Sequence, residues 1–298
     1  MCEHDDFEEF AKRAALSRRR FGAMALGSGL VAMLPQWARG ADAKHAPGAD
    51  TVGAEVSITT PDGTADAYFV HPAHGAHPAV LMWPDIFGLR PAFKGMATRL
   101  AAVGYAVLVV NPFYRSQKAP TAPEHADFSD AKTRDALMSL AHSLSPATAA
   151  TDAITFVNFL DAQAAVNTNR KIGTMGYCMS GPIAIRTAAA RADRIGAVAT
   201  FHGGGLVSKD PDSPHLLIAQ TKARYLIAIA ANDDERESDA KQTLRESFDH
   251  AHLQAEVEVY AGTQHGWCPT DSHVYDHDQA EKAWARLLAL FDKTLKAA

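Results

Sequence analysis

The stretch Lys171-Ile172-Gly173-Thr174-Met175-Gly176-Tyr177-Cys178-Met179-Ser180-Gly181-Pro182 decides how this chain is read. A short apolar strand breaks into a Gly-x-Cys-x-Ser-Gly turn and continues into an Ala-rich segment, so the spacing predicts strand, sharp turn, and a helix from about Pro182 to Arg191. This is the layout of a nucleophile elbow. Small residues at minus two and plus two from Cys178, Gly176 and Ser180, let the chain reverse around a strained position. A thiol at that point stands at a helix N-terminus, where unpaired N–H groups and the helix dipole favour a thiolate. A small cysteine buried at the end of a core strand fits the same pattern. The surrounding sequence has to choose between the two readings.

Outward from the turn, apolar strands alternate with helical segments. Upstream, Ala54–Thr59 and Ala65–Val70 read as a hairpin joined through Pro61-Asp62-Gly63, at a sheet edge. Ala79–Trp83 is an uninterrupted apolar run, as expected of a strand covered on both faces. It is followed by a helix from Ala92 to Ala102, a strand from Tyr105 to Val110, a polar loop to about Asp127, and helices near Ser129–His142 and Ala147–Gln163. Downstream come strands Gly196–Phe201, Arg224–Ala231 and Glu256–Tyr260, with helices at about Glu237–Ala251 and Asp278–Lys293. The alternation predicts an α/β fold with a mostly parallel, doubly wound sheet, an N-terminal antiparallel hairpin and helices on both faces. His71, His74 and His77 are spaced three apart, but two prolines and a glycine break any shared helical face, so the reading is a solvated loop and not a metal site.

Length and composition fit this plan. The 298 residues are 47% hydrophobic and 21% charged, a size that one large α/β domain can fill. The net charge of −5 and pI near 6.3 argue against a nucleic-acid partner.

Three polar residues follow the carboxyl ends of predicted strands: Cys178, Asp233 and His265. Open α/β sheets build their sites at those ends. The order nucleophile, acid, histidine leaves a strand–helix unit between each pair, the arrangement used to activate a nucleophile for acyl transfer. With these residues in view the resemblance becomes specific. Gly176-Tyr177-Cys178-Met179-Ser180-Gly181, Asp85-Ile86-Phe87-Gly88, Asp233 and Gln264-His265-Gly266 resemble the dienelactone hydrolase (carboxymethylenebutenolidase) family, cysteine-dependent members of the α/β-hydrolase fold, over about Val52 to Leu295. The resemblance implies that Cys178 is the nucleophile, His265 the general base and acid, and Asp233 its orienting partner. It also implies an oxyanion hole built from the backbone N–H groups of Ile86 and Met179, and no metal or organic cofactor. The expected substrate is a small ester or lactone. A general carboxylesterase or lactonase of unrelated substrate, and a catalytically weak binding or redox-sensing protein on the same fold, are the alternative readings.

The chain departs from the family pattern at two places. The family usually carries Glu where this chain has Asp85, a carboxylate that can share a proton with the resting thiol, and Asp is one methylene shorter. Of two arginines that hold a substrate carboxylate in the family, Arg115 matches the first, whereas the second falls near Pro269. Asp85, Arg115, Tyr177, His202 and Trp267 are the candidate substrate-binding residues. Cys268, three residues after His265, could pair with Cys178 only if the Cα geometry permits.

The N-terminus reads as an address and not as part of the fold. Ser17-Arg18-Arg19-Arg20-Phe21, a moderately apolar stretch from Gly22 to Leu34, and Ala41-Asp42-Ala43 are the three parts of a secretory signal. The form resembles a twin-arginine signal, implying recognition by an export machinery and a periplasmic or otherwise exported protein. The domain reading is therefore 1–43 export signal, 44–51 linker and 52–298 a single catalytic domain, with no stable membrane association after cleavage and a monomer expected. Cleavage leaves two cysteines, Cys178 and Cys268, too few for a disulfide scaffold.

Overall fold

The computed structural model describes residues 49–296. Residues 1–43, read from the sequence as an export signal, and the first part of the expected linker lie outside the described residues. From Ala49 onward the chain forms one compact unit.

Two ten-residue strands, β1 (Thr51–Thr60) and β2 (Gly63–Pro72), form the expected hairpin, and both are longer than the sequence pattern suggested. The added ladder reaches Pro72, so His71 is a strand residue whose Nδ1 lies 2.7 Å from its neighbour's carbonyl, Pro72 O. His77 Nε2 meets the carbonyl of His74 at 2.7 Å, and no metal-ligating cluster occurs among the described residues.

The strand–helix alternation then unrolls as β3 (Ala79–Trp83), α1 (Pro91–Ala102), β4 (Ala106–Val110), α2 (Ala131–His142), α3 (Pro146–Asp161) and β5 (Ile172–Tyr177). A 3-10 turn at Cys178–Ser180 leads into α4 (Gly181–Ala190), followed by β6 (Ile195–Phe201) and β7 (Arg224–Ala230). Next come α5 (Ala231–Arg236), α6 (Ala240–His250), β8 (Ala255–Tyr260) and α7 (His277–Phe291). All eight strands join one sheet in the order β1-β2-β4-β3-β5-β6-β7-β8. The β1–β2 and β2–β4 pairs are antiparallel and the other five pairs are parallel.

The side-chain alternation of a strand explains why the central strands read as unbroken apolar runs. In β3, Ala79, Leu81 and Trp83 face one apolar layer, with α3, α4 and α6; Val80 and Met82 face the other, with α1 and α7. Both layers are closed by aromatic and aliphatic helix residues: Phe156, Ile185 and Phe248 on one side, Phe93, Trp284 and Phe291 on the other. Helix starts follow local chemistry. Ser145 caps α3 through a reciprocal pair with Thr148, and the Asp276 carboxylate accepts from Gln279 N at the start of α7.

The crossover arrangement brings the C-terminal ends of β3, β5, β6, β7 and β8 to one edge of the sheet. Parallel pairing sets Trp83 beside Gly176 and Tyr177 beside Phe201, so the loops after β3, β5 and β6 open side by side.

Candidate active site

The turn after β5 is tight for a measurable reason. Cys178 has φ of 54°, the left-handed region that a residue with a Cβ rarely adopts. A Cβ at Gly176 would lie 2.1 Å from the carbonyl oxygen of Ser180, and one at Gly181 would lie 2.8 Å from the Cα of Gly203. Only glycine allows strand, turn and helix to close this tightly against the loop after β6. Ser180, at plus two, does more than stay small. Its buried hydroxyl donates to the carbonyl of Pro84 at 2.5 Å, fastening the turn to the loop that carries Asp85 and Ile86. Ile86 is buried in that loop and Met179 lies within the 3-10 turn.

Asp233 stands in the first turn of α5, a short helix that the sequence pattern did not suggest, immediately after β7. Its Oδ2 lies 2.8 Å from His265 Nδ1, and its Oδ1 accepts from Arg236 at 2.8 Å. The side chains of Asp233 and His265 are 8% and 15% exposed, so the pair sits largely out of water. His265 is reached from the loop after β8, and two cross-links hold that loop against the start of α5. Asn232 Oδ1 accepts from His265 N at 2.8 Å, and Thr263 Oγ1 accepts from Ala231 N at 3.2 Å.

Cys178 lies close enough to His265 to act on its charge, which sets the three side chains in the order Asp233, His265, Cys178. Burial works against charge on the imidazole, but the negative charge of Asp233, attraction to Cys178 and the hydrogen bond to Asp233 outweigh it and hold its pKa well above the usual histidine range. A second imidazole adjoins it. His202, at φ 42° just after β6, packs edge-on against His265 at 5.0 Å and against Trp267 at 5.2 Å. Burial, then the neighbouring His265 and more weakly Arg90, push the His202 pKa well below the usual range. Its ring nitrogens have no hydrogen-bond partner among the described residues.

The other candidates are placed as follows. Tyr177 is 1% exposed and stacked on Phe201 at 4.8 Å, with Phe93 edge-on at 5.1 Å. Trp267 is fully buried between His202 and Tyr260. Cys178 and Cys268 are both free and buried, and burial raises the Cys268 pKa.

Asp85 is held by a partner that its sequence neighbourhood did not advertise. Arg90 Nη1 and Nη2 donate to its two oxygens at 2.6 and 2.9 Å, and Phe87 N donates to Oδ1 at 3.0 Å. The same guanidinium reaches across to Asp271 in the loop after His265, with Nε and Nη2 donating at 2.7 and 3.0 Å. Burial disfavours the Arg90 charge, yet Asp85 and Asp271 more than compensate and raise its pKa. Arg90 therefore bolts the loop after β3 to the loop after β8. Arg115 is likewise held between two carboxylates. It donates to Asp152 at 2.7 and 2.8 Å and to Asp62 at 2.6 and 2.9 Å, while stacking over Tyr114.

With this geometry in place, comparison with known proteins gives a consistent result. The model of the dienelactone hydrolase family matches residues 65–295. The chain belongs to the dienelactone hydrolase family. A Methylorubrum extorquens protein named "Putative carboxymethylenebutenolidase" is 26% identical over 288 residues, covering 95% of this chain and 94% of that protein. A carboxymethylenebutenolidase of Rhodococcus opacus is 24% identical, with 78% of this chain and 88% of the relative covered. Among solved structures, a dienelactone hydrolase-like promiscuous phosphotriesterase from metagenomic libraries superposes with a TM-score of 0.69 at 20% identity, covering 82% of this chain and 99% of the other. Family membership makes the protein a hydrolase of the carboxylic ester class, on the mixed eight-stranded α/β fold described above.

Proposed function

We propose that the protein is a cysteine-dependent hydrolase of small esters or lactones that works through a thioacyl-enzyme. The observation that carries this reading is the buried Asp233–His265 hydrogen bond beside Cys178, with Cys178 in a left-handed backbone conformation at the end of a central strand. In the first half-reaction the Cys178 sulfur attacks the substrate carbonyl, a carbon–sulfur bond forms, and the carbon–oxygen bond to the alcohol breaks. The imidazolium of His265 gives its proton to the departing alkoxide. In the second, His265 takes a proton from water, the resulting hydroxide attacks the thioester, and the acid leaves as the thiolate is restored. Asp233 fixes the imidazole tautomer and offsets its positive charge. The backbone N–H groups of Ile86 and Met179 stabilise the oxyanion, with one such donor contributing about 10²–10³ in rate.

Residues 52–298 act as one catalytic domain, and residues 1–43 act as a twin-arginine export signal that delivers the protein to the periplasm. The signal reading rests on the Arg18-Arg19-Arg20-Phe21 sequence and Ala41-Asp42-Ala43. Aryl-acetate hydrolysis tests the chemistry. Cys178→Ala abolishes it and iodoacetamide blocks it in step with alkylation of Cys178; full activity in that variant would refute the cysteine mechanism.

A further inference from the structure

The charges around the loops after β3 and β8 do more than position them. Asp85 lies two residues beyond the end of β3 and precedes Ile86, while Asp271 lies six residues beyond His265. Their shared guanidinium, Arg90, makes five hydrogen bonds: two to Asp85, two to Asp271, and one to the carbonyl of Gly88 at 3.4 Å. Five is the full donor complement of an arginine side chain. Two carboxylates around one guanidinium leave the cluster with a net charge of −1, and no donor remains for a ligand. Arg115, the cation that the sequence offered to a substrate carboxylate, is likewise held between two carboxylates, Asp62 and Asp152.

We propose that the Asp85–Arg90–Asp271 cluster makes this site select esters and lactones that carry no free carboxylate. The proposal rests on the reading that Cys178 attacks an ester carbonyl between those two loops. A carboxylate on the substrate meets the uncompensated negative charge of the cluster. To reach a guanidinium it must first displace an aspartate already bound in a two-pronged pair. A neutral acyl or alcohol group incurs neither cost. The discrimination comes from repulsion of the wrong ligand as much as from attraction of the right one.

The test compares two aryl acetates of equal shape, para-acetoxybenzamide and para-acetoxybenzoate, with each rate divided by that of the same ester with N-acetylcysteine to remove differences in leaving group. The normalised kcat/KM of the neutral ester is expected to exceed that of the charged ester by roughly tenfold at low ionic strength, the effect of one unpaired charge nearby. The gap narrows as salt is raised, and it narrows again in Asp271→Asn, where the cluster becomes neutral. Equal rates, or a preference for the charged ester, would overturn the proposal.

A second measurement needs no turnover. The ratio of Cys178 alkylation by iodoacetate to that by iodoacetamide is expected to rise in Asp271→Asn and, in the wild type, to rise with salt. Charge-dependent alkylation without ester hydrolysis would count against the thioacyl mechanism alone. Hydrolysis without charge dependence would count against the selection alone.

Discussion

Replacing Arg90 by Met removes the bolt between the loops after β3 and β8 while keeping an aliphatic side chain over Phe87 and Phe93, whose rings lie 5.4 and 4.8 Å from the guanidinium carbon. The two carboxylates it leaves behind are not equivalent. The Asp271 side chain is 40% exposed, so its share of the loss is at most about 1 kcal/mol. The Asp85 side chain is 9% exposed and loses both of its charged hydrogen bonds, keeping only Phe87 N. An uncompensated carboxylate this deeply placed costs about 3–5 kcal/mol. For a domain of this size, about 2–4 °C accompanies each kcal/mol, so Tm should fall by roughly 6–20 °C. The double variant Asp85→Asn/Arg90→Met removes the stranded charge along with its partner and should recover at least half of the loss. Calorimetry and urea titration of the wild type, the two single variants and the double variant complete the cycle. An Arg90→Met protein within about 1 kcal/mol of wild type, or a double variant no more stable than Arg90→Met, would refute the assignment of Arg90 as the charge that holds Asp85.

Two further substitutions probe neighbouring parts of the site. Ser180→Ala deprives the buried Pro84 carbonyl of its hydroxyl donor, which should cost about 1–3 kcal/mol in stability. It should also lower kcat more than it raises KM, because the loop bearing Ile86 loses its tie to the turn; unchanged kcat together with unchanged Tm would show that the contact positions nothing. His202→Phe tests a pH effect of defined sign. The folded His202 pKa lies well below the usual 6.5, so as pH falls through that value the unfolded chain takes up a proton that the folded state refuses. The wild type should therefore lose stability relative to His202→Phe below about pH 6.5, by at most about 1.4 kcal/mol per pH unit, whereas parallel stability curves across the acid range would show that His202 does not titrate as a buried neutral imidazole.

What the sequence disclosed, and what it hid, divides along the range of the interactions involved. Ala79–Trp83 and Ala106–Val110 were legible as central strands because burial on both faces leaves an uninterrupted apolar run. The turn at Cys178 was legible because its glycines answer a local steric demand, with Gly176 facing the Ser180 carbonyl at 2.1 Å from a would-be Cβ. Asp233 and His265 could be ordered along the chain because each follows a strand. Their supports could not: Asn232 and Thr263 act through bonds across 33 and 32 residues, and such polar residues in turns look like ordinary loop chemistry until the strands are docked. Arg90 was hidden for the same reason, its second carboxylate lying 181 residues away. Arg115 showed a cation in the expected segment, but the sequence could not show that Asp62 and Asp152 already enclose it. The short α5 went unread because Asp233-Asp234-Glu235-Arg236 has no apolar periodicity and is held by its contacts to Thr263 and His265.

The central claim is that Cys178 carries the acyl group during turnover. Acid-quenching the protein during steady-state hydrolysis of an aryl acetate, followed by peptide mass spectrometry, tests this most directly. An acetyl group on the peptide containing Cys178, chased off when substrate is exhausted and missing in Cys178→Ala, is the expected result. An acetyl group on another residue, or undiminished hydrolysis by Cys178→Ala, would contradict it.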